Sequence, residues 1–470
     1  MTAIASGGRA VRATISARLT NVPEELDLIG PIYTGGEGTI YFSADGRYAA
    51  KVYHQTDPQK GKILQQVMEL GKGLGNQARF LAWPLGIIGT FDGQARIGCV
   101  THLIPSRYVE ILDLMFSPQV AIAHFKQGRH WGHYLTIARE LAVAVRILHG
   151  KGCAHADIQY RNFKADPTTG RTVLLDLDGI VVEGFLAPQV AGLPGFMAPE
   201  VVAGRSRPSE STDRHSTAVL ILYTLLFRNP LMSLPCYDAD AQRDDVIGWG
   251  EQAMFSEHSS DTRNRPPNLA QPLYRRGALS FRMLPPALQR LTERALVDGL
   301  QAPERRPQVW EWETALATTH EQLTHCHYCK QVYPYAFWVQ PKSARGCPFC
   351  GTPARPPFPA VVELLDPGAK GLYTPSRKAI LGPGFQVFSD FLEPTRAPAI
   401  SREGQTPVGR VEWIAELGIL ALRNEDTAVW TAIAPGNRGL VTVRRDQRVP
   451  LQPGLQIHFG SGARLIRVVE

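Results

Sequence analysis

Residues 155–162 read His155-Ala156-Asp157-Ile158-Gln159-Tyr160-Arg161-Asn162, and the five-residue step from Asp157 to Asn162 constrains the fold more than any other feature. An acid and an amide that close in sequence meet at one point only if a short loop turns both toward it. A carboxylate that orients a hydroxyl, beside an amide that holds a divalent ion, is the pairing phosphoryl transfer needs. The spacing alone also arises by chance, so its surroundings carry the argument.

Those surroundings form an ordered series. Tyr33-Thr34-Gly35-Gly36-Glu37-Gly38-Thr39-Ile40 is a glycine-rich run of the kind that lets backbone N–H groups approach phosphate. Tyr48-Ala49-Ala50-Lys51-Val52 places one lysine in an apolar strand. Ile63, Leu64, Val67 and Met68 fall at i, i+1, i+4 and i+5, one face of a helix closed by Gly71 and Gly73, and Glu69 follows Lys51 by 18 residues. Leu174-Leu175-Asp176-Leu177-Asp178 is an apolar strand ending in acids. Gly195-Phe196-Met197-Ala198-Pro199-Glu200 follows, then Asp213 before the apolar run Ala218 to Phe227, then Arg306 in Glu304-Arg305-Arg306-Pro307.

In this order the signals resemble a eukaryotic-type protein kinase. Phe255-Ser256-Glu257-His258 leading to Asn264-Arg265-Pro266, with a four-cysteine module behind, resembles the bacterial group linked to tellurite-resistance and stress systems. The resemblance implies an α+β, bilobal protein-kinase fold over 25–320, with an N-lobe at 25–104 and a C-lobe at 105–320 after a tail at 1–24. It implies ATP and Mg²⁺ as cofactors and a protein hydroxyl as acceptor, Ser/Thr favoured over Tyr. Lys51, held by Glu69, orients the phosphates, Asn162 and Asp176 bind Mg²⁺, and Asp157 steers the acceptor. Gly35, Gly36 and Gly38 cover the phosphates, while Ile40, Ala49, the gatekeeper Thr101, His102 and Ile104 surround the nucleotide. Asp213 anchors the catalytic loop and Arg306 pairs with Glu200. The alternatives are an ATP-binding pseudokinase scaffold, or a small-molecule phosphotransferase, to which the D-x-D of Asp176 and Asp178 is also similar.

The chain departs from that pattern at Tyr33 (first loop glycine), Ala156 (arginine), Gln159 (lysine), Leu193 (threonine) and Asp178 (glycine). With Ala156 there is no arginine for a phosphate to neutralise, and the stretch from Asp176 to Glu200 contains no Ser, Thr or Tyr. Control by phosphorylation of that segment is therefore not expected. Arg161 stands ready as a substitute cation.

Cys326-x₂-Cys329-x₁₇-Cys347-x₂-Cys350 follows the kinase-like region. Two C-x-x-C knuckles aim four thiolates at one point, the tetrahedral Zn²⁺ pattern, and predict a zinc ribbon over 321–353. Two disulfides or a redox pair are the competing readings. Tyr333, Tyr335, Phe337 and Trp338 lie between the knuckles, and a ribbon's own small core is preferred over a nucleic-acid contact there. A Pro-rich linker at 354–359 leads to 360–470, where short apolar runs alternate with turn residues, a small all-β domain. Val449-Pro450-Leu451-x₂-Gly454-x₂-Ile457-x-Phe459-Gly460 resembles the last hairpin of forkhead-associated domains, without the arginine and serine pair for phosphothreonine.

The 470 residues allow two to four domains. A net charge of +7 is modest for this length; it permits an anionic partner without arguing for one. No apolar run reaches membrane-spanning length, and ATP chemistry with metal-binding thiols points to the cytoplasm. The resemblance to the stress-linked bacterial group further implies a cognate phosphatase and a metal-dependent adhesion-type domain protein as partners.

Overall fold

The computed structural model describes residues 10–470 apart from 20, 185, 187–191, 232–235, 270, 343, 344, 395–404 and 438. The first unit is a closed barrel of six antiparallel strands: β1 (Val11–Arg18), β2 (Glu25–Thr34), β3 (Gly38–Ser43), β4 (Tyr48–Tyr53), β5 (Gly86–Phe91) and β6 (Gln94–His102). Strand β1 corrects the expected tail over 1–24. Its alternate residues Ala13 and Ile15 are buried inside the barrel, and its edges pair with β2 and β5, so it closes the sheet. Residues 1–9 of that stretch lie outside the described residues.

Between β4 and β5 runs α1 (Pro58–Leu70), capped by the Asp57 side chain and burying Leu64, Val67 and Met68. It stops where Gly71 meets the Trp83 indole: a Cβ at Gly71 would lie 2.2 Å from Trp83 Nε1. That indole donates to the Val67 carbonyl at 2.8 Å, fixing the helix over the segment below it.

The second unit is helical. After β7 (Val109–Glu110) come α2 (Leu112–Met115), α3 (Pro118–Lys126) and α4 (Trp131–His149), then β8 (Phe163–Ala165) and β9 (Thr172–Leu174), which complete a three-stranded sheet with β7. They are followed by α5 (Pro199–Val202), α6 (Glu210–Leu226), α7 (Ala241–Asp245), α8 (Pro286–Glu293) and α9 (Val309–His320). Helices α4 and α6 are buried nearly all round, as central helices are. Trp131 Nε1 donates to the Leu225 carbonyl at 2.9 Å and locks the two together. The Phe255–His258 motif is part of this framework: Glu257 is buried against Arg228 and accepts from the Phe281 N–H, while Asn264 donates to the Leu231 and Met254 carbonyls.

The four cysteines sit on a hairpin, β10 (Leu323–His325) with β11 (Val332–Pro334), and on the knuckle at 347–350. The expectation was a ribbon set apart at 321–353. Instead Cys326, Tyr333, Cys347, Phe349 and Cys350 belong to the same buried cluster as Phe125, Trp131 and Phe227. Backbone N–H groups of Leu273 and Tyr274 donate to the Pro348 and Phe349 carbonyls, and Gln331 Oε1 accepts from the Trp131 N–H. A segment this small has little apolar area of its own, and it gains a core by sharing one.

The remainder is two facing sheets. One has six strands in the order β13 (Tyr373–Leu381), β12 (Ala360–Pro367), β21 (Leu465–Val468), β20 (Gln456–His458), β17 (Trp430–Ile433), β18 (Leu440–Val443). The other runs β14 (Gln386–Val387), β15 (Gly409–Ile414), β16 (Ile419–Asn424), β19 (Arg448–Pro450). Val362, Leu381, Val411, Leu422, Trp430 and Ile457 fill the space between them. Tyr335 packs on Val361 and Ile380, and Arg345 pairs with Glu470 at 2.7 Å, so Tyr333 and Tyr335 are spent on internal seams. No helix of the described residues is long and apolar enough to cross a membrane.

Candidate functional site

The loop at 155–162 is held from beneath by one carboxylate. Asp213, in the first turn of α6 and 99% buried, accepts from the backbone N–H groups of His155 at 2.6 Å and Ala156 at 3.1 Å. Ala156 adopts φ +70°, a left-handed conformation that costs a non-glycine residue about 1–2 kcal/mol and persists here because Asp213 clamps its own N–H and that of His155. His155 lies against the next segment, its Nε2 at 2.8 Å from the Leu175 carbonyl.

Clamped this way, the loop brings Asp157 and Asn162 together. Asn162 Nδ2 donates to the Asp157 backbone carbonyl and to Oδ2, each at 2.8 Å. Gln159 Nε2 donates to both carboxylate oxygens, at 3.1 and 3.0 Å. An amide thus supplies the donor at a position where the kinase resemblance led one to look for a lysine, and it orients Asp157 without adding charge. Arg161 is exposed, its guanidinium 5.9 Å from the Tyr160 ring centroid.

Across the cleft, strand alternation sends Ala50 and Val52 into the barrel and Lys51 and Tyr53 to the other face. Lys51 Nζ reaches three carboxylates: Asp176 at 2.9 Å, Asp178 at 2.9 Å and Glu37 of the glycine-rich loop at 3.2 Å. Glu69 is not among them. It stands at the far end of α1, half exposed, paired with Lys72. The helix face turned toward β4 and β6 carries Leu64 and Met68, packed on Tyr53 and Cys99, so α1 offers apolar surface where a carboxylate was expected. The pairing of Lys51 with Glu69 is therefore corrected.

The two acids of the Asp176–Asp178 pair differ in environment. Asp176 has φ +56° and an exposed side chain, whereas the Asp178 side chain is 5% exposed. Burial works against charge on Asp178, but the Lys51 ammonium and the Tyr53 hydroxyl, which donates to Oδ2, hold its carboxyl well below the usual range. Asp176 is shifted up, first because its carboxyl loses water where it meets Lys51, although the side chain is half exposed, and then by the Asp178 charge. Burial likewise opposes charge on Lys51, yet Asp178 and Asp176 hold it a firm ammonium. Tyr53 and Lys60, whose Nζ lies 3.5 Å from the Asp178 carbonyl, were not anticipated. The two-residue step from Lys51 to Tyr53 along one strand was the available signal.

The glycine-rich turn joins β2 to β3. Gly38 is required, since a Cβ there would meet the Val52 carbonyl at 2.6 Å, whereas one at Gly36 would meet nothing within 4 Å. Ile40 lies opposite Lys51 in the β3–β4 ladder, and Ala49 opposite Thr101 in the β4–β6 ladder. His102 ends β6, and Ile104 lies two residues beyond in the passage to the helical unit. Below the cleft, Glu200 and Arg306 form a two-pronged ion pair at 2.7 and 2.8 Å, with Arg306 also donating to the Gly299, Leu300 and Ser211 carbonyls. Asn229, also unforeseen, donates to the Gly195 carbonyl and pins the segment before α5.

The four knuckle sulfurs all lie within 4.8 Å of one another, with Cys326–Cys350 and Cys329–Cys347 each at 3.6 Å. A tetrahedron of Zn–S bonds of about 2.3 Å has S···S edges of about 3.8 Å, and a disulfide is far shorter at about 2.05 Å. The cysteines are free thiols in a geometry compatible with zinc.

No protein-family model matches the chain. Partial similarity to curated protein kinases is found. A dual serine/threonine and tyrosine protein kinase of Apis mellifera is 28% identical over 98 residues, 21% of this chain and 10% of that protein. A protein kinase and PP2C-like domain-containing protein of Oryza sativa subsp. japonica is 27% identical over 248 residues, 48% of this chain and 35% of the relative. Serine/threonine-protein kinase D of Synechocystis sp. is 33% identical over 105 residues, 20% of each chain. The chain thus spans between a tenth and about a third of these relatives. It is kinase-like, by similarity confined to part of its length.

Proposed function

We propose that the chain is an ATP-dependent protein kinase with a bilobal kinase fold, the barrel unit and the helical unit being its two lobes. It transfers the γ-phosphoryl group to protein hydroxyls, Ser/Thr favoured. The observations that carry this reading are the clasp of Asp213 on the 155–162 loop, which holds Asp157 and Asn162 together, and the pairing of Lys51 with Asp176. The Glu200–Arg306 pair beneath the 195–200 segment favours a protein acceptor over a small molecule, because it stiffens the platform on which a peptide would lie.

Asp157 receives the acceptor hydroxyl, its carboxylate aimed by Gln159 and Asn162. Asn162 spends its amide N–H₂ on Asp157, which leaves the amide oxygen for a metal, and Asp176 adds an exposed carboxylate. These two residues fit Mg²⁺, which when bound neutralises phosphate charge. Lys51 supplies a fixed cation to the phosphates, and Gly35, Gly36 and Gly38 leave the loop backbone open to them. Four thiolates fit Zn²⁺ in a closed, structural site. A stress-response setting and the phosphatase and adhesion-type partners follow from the family resemblance alone, and a cytoplasmic location from ATP chemistry and metal-binding thiols. Regulation does not pass through phosphorylation of residues 176–200.

The test is incubation of the pure protein with Mg²⁺ and γ-labelled ATP beside Asp157→Asn, with phosphosites mapped by mass spectrometry. Label on wild type and not on the variant is expected. Tight ATP binding without transfer would instead support a pseudokinase.

A further inference from the structure

A lysine that must present its ammonium to phosphate needs a carboxylate behind it, and α1 does not deliver one. Glu69 is half exposed and engaged with Lys72, while the helix face over β4 is Leu64 and Met68. Behind Lys51 lies Asp178 instead. Its Oδ2 is 2.9 Å from Lys51 Nζ and accepts from the Tyr53 hydroxyl, and Lys60 from the first turn of α1 reaches its backbone carbonyl. Three elements (β4, α1 and the 177–179 turn) therefore converge on one buried residue.

We propose that Asp178 is the positioning carboxylate of this site, holding Lys51 toward the phosphates in place of a helix glutamate and leaving the exposed Asp176 for the metal. The inference rests on the phosphotransfer reading above. A buried anion with two side-chain donors is a rigid anchor, because an unpaired charge there is too costly to move away. It also explains why the position following Leu177 is an acid at all: a glycine there would leave the Lys51 ammonium with only exposed partners, Asp176 and Glu37. The helix need not swing in to complete the site, since Lys60 ties its N-terminal turn to the same residue.

Steady-state transfer and ATP affinity by calorimetry, measured on wild type, Asp178→Asn, Glu69→Gln, Lys51→Met and the Lys51→Met/Asp178→Asn double variant, test this. Asp178→Asn is expected to lower kcat by roughly 100-fold, with no further loss when added to Lys51→Met, because the two act as one unit. Glu69→Gln stays within about twofold of wild type, the scatter ordinary for exposed surface changes. Loss in Glu69→Gln equal to that in Asp178→Asn, or losses that multiply in the double variant, would overturn the proposal. If Asp178→Asn does not fold, Tyr53→Phe serves: it removes one donor to the anchor and should raise KM for ATP while Glu69→Gln leaves it unmoved, and an unchanged KM refutes the role. A wild type that transfers nothing strikes at the kinase reading. ATP affinity then decides the anchor by itself, weakened by Asp178→Asn if it positions Lys51 and unchanged if it does not.

Discussion

Replacing Phe349 by alanine asks whether the four-cysteine knuckles are a domain or a piece of the helical unit. Phe349 lies between Cys347 and Cys350, is 0% exposed, and sets its ring edge-on to Phe125 at 5.6 Å and beside Tyr274 at 6.1 Å. Phe125 in turn packs on Phe227 and Tyr134 of the α4–α6 core. Truncating a fully buried phenylalanine costs about 3–5 kcal/mol through lost burial and the cavity left behind. For a cooperative unit of this size each kcal/mol lowers Tm by about 2–4 °C, so a fall of roughly 10 °C is expected. Because all four thiols remain, zinc content should not change. Scanning calorimetry with parallel metal analysis reads both quantities. The decisive feature is which transition moves: the main helical-unit transition should shift as a whole. If it stays in place while a separate, smaller transition drops, the ribbon folds by itself and the shared-core reasoning is wrong.

Other consequences are more local. Arg306→Ala leaves Glu200 without its two-pronged partner and strips donors from three carbonyls, so a loss of about 3–5 kcal/mol is expected in urea titration; a loss below 1 kcal/mol would show the pair to be dispensable. Asp213→Ala removes both acceptors beneath His155 and Ala156, and should cut kcat by roughly 100-fold with KM for ATP little changed, since only the loop's geometry is disturbed. His215 is fully buried, and burial with the nearby Arg306 holds its pKa well below the ordinary value; burial pushes His130 down to about 4. Histidines depressed in the folded state bind protons only on unfolding, so their contribution is intact above about pH 6.5 and is lost as pH falls below it. Each adds a slope of at most about 1.4 kcal/mol per pH unit, and in His215→Leu the dependence between pH 7 and 5 should flatten by one such proton.

Local patterns in the chain were enough for several elements, and the reasons are short-range. The apolar positions Ile137, Leu141, Val145 and Leu148 mark a buried helix because 3.6-residue periodicity needs no distant partner, and α4 buries all four. The five-residue step from Asp157 to Asn162 likewise closes within one loop, and two C-x-x-C turns bring their sulfurs together by their own geometry. Strand β1 was legible too, in the alternation of Val11, Ala13, Ile15 and Ala17, but Arg12 and Arg18 made the stretch read as a tail until β5, some 70 residues on, supplied the closing edge.

Which side chains share a face and which residues share a loop can be read along the chain. Which carboxylate stands behind Lys51 depends on how the elements pack. Glu69 and Asp178 are equally good acids on paper, and the choice follows from how α1 rolls on the barrel: Leu64 and Met68 take the buried face, so Glu69 is turned out to water and Asp178 is left under the lysine. The same holds for the knuckles, whose ligand spacing is local but whose shared core with Phe125 and Trp131 depends on segments about 200 residues away coming to rest against them. Burial of that kind is a property of the assembled surface, and no window of sequence contains it.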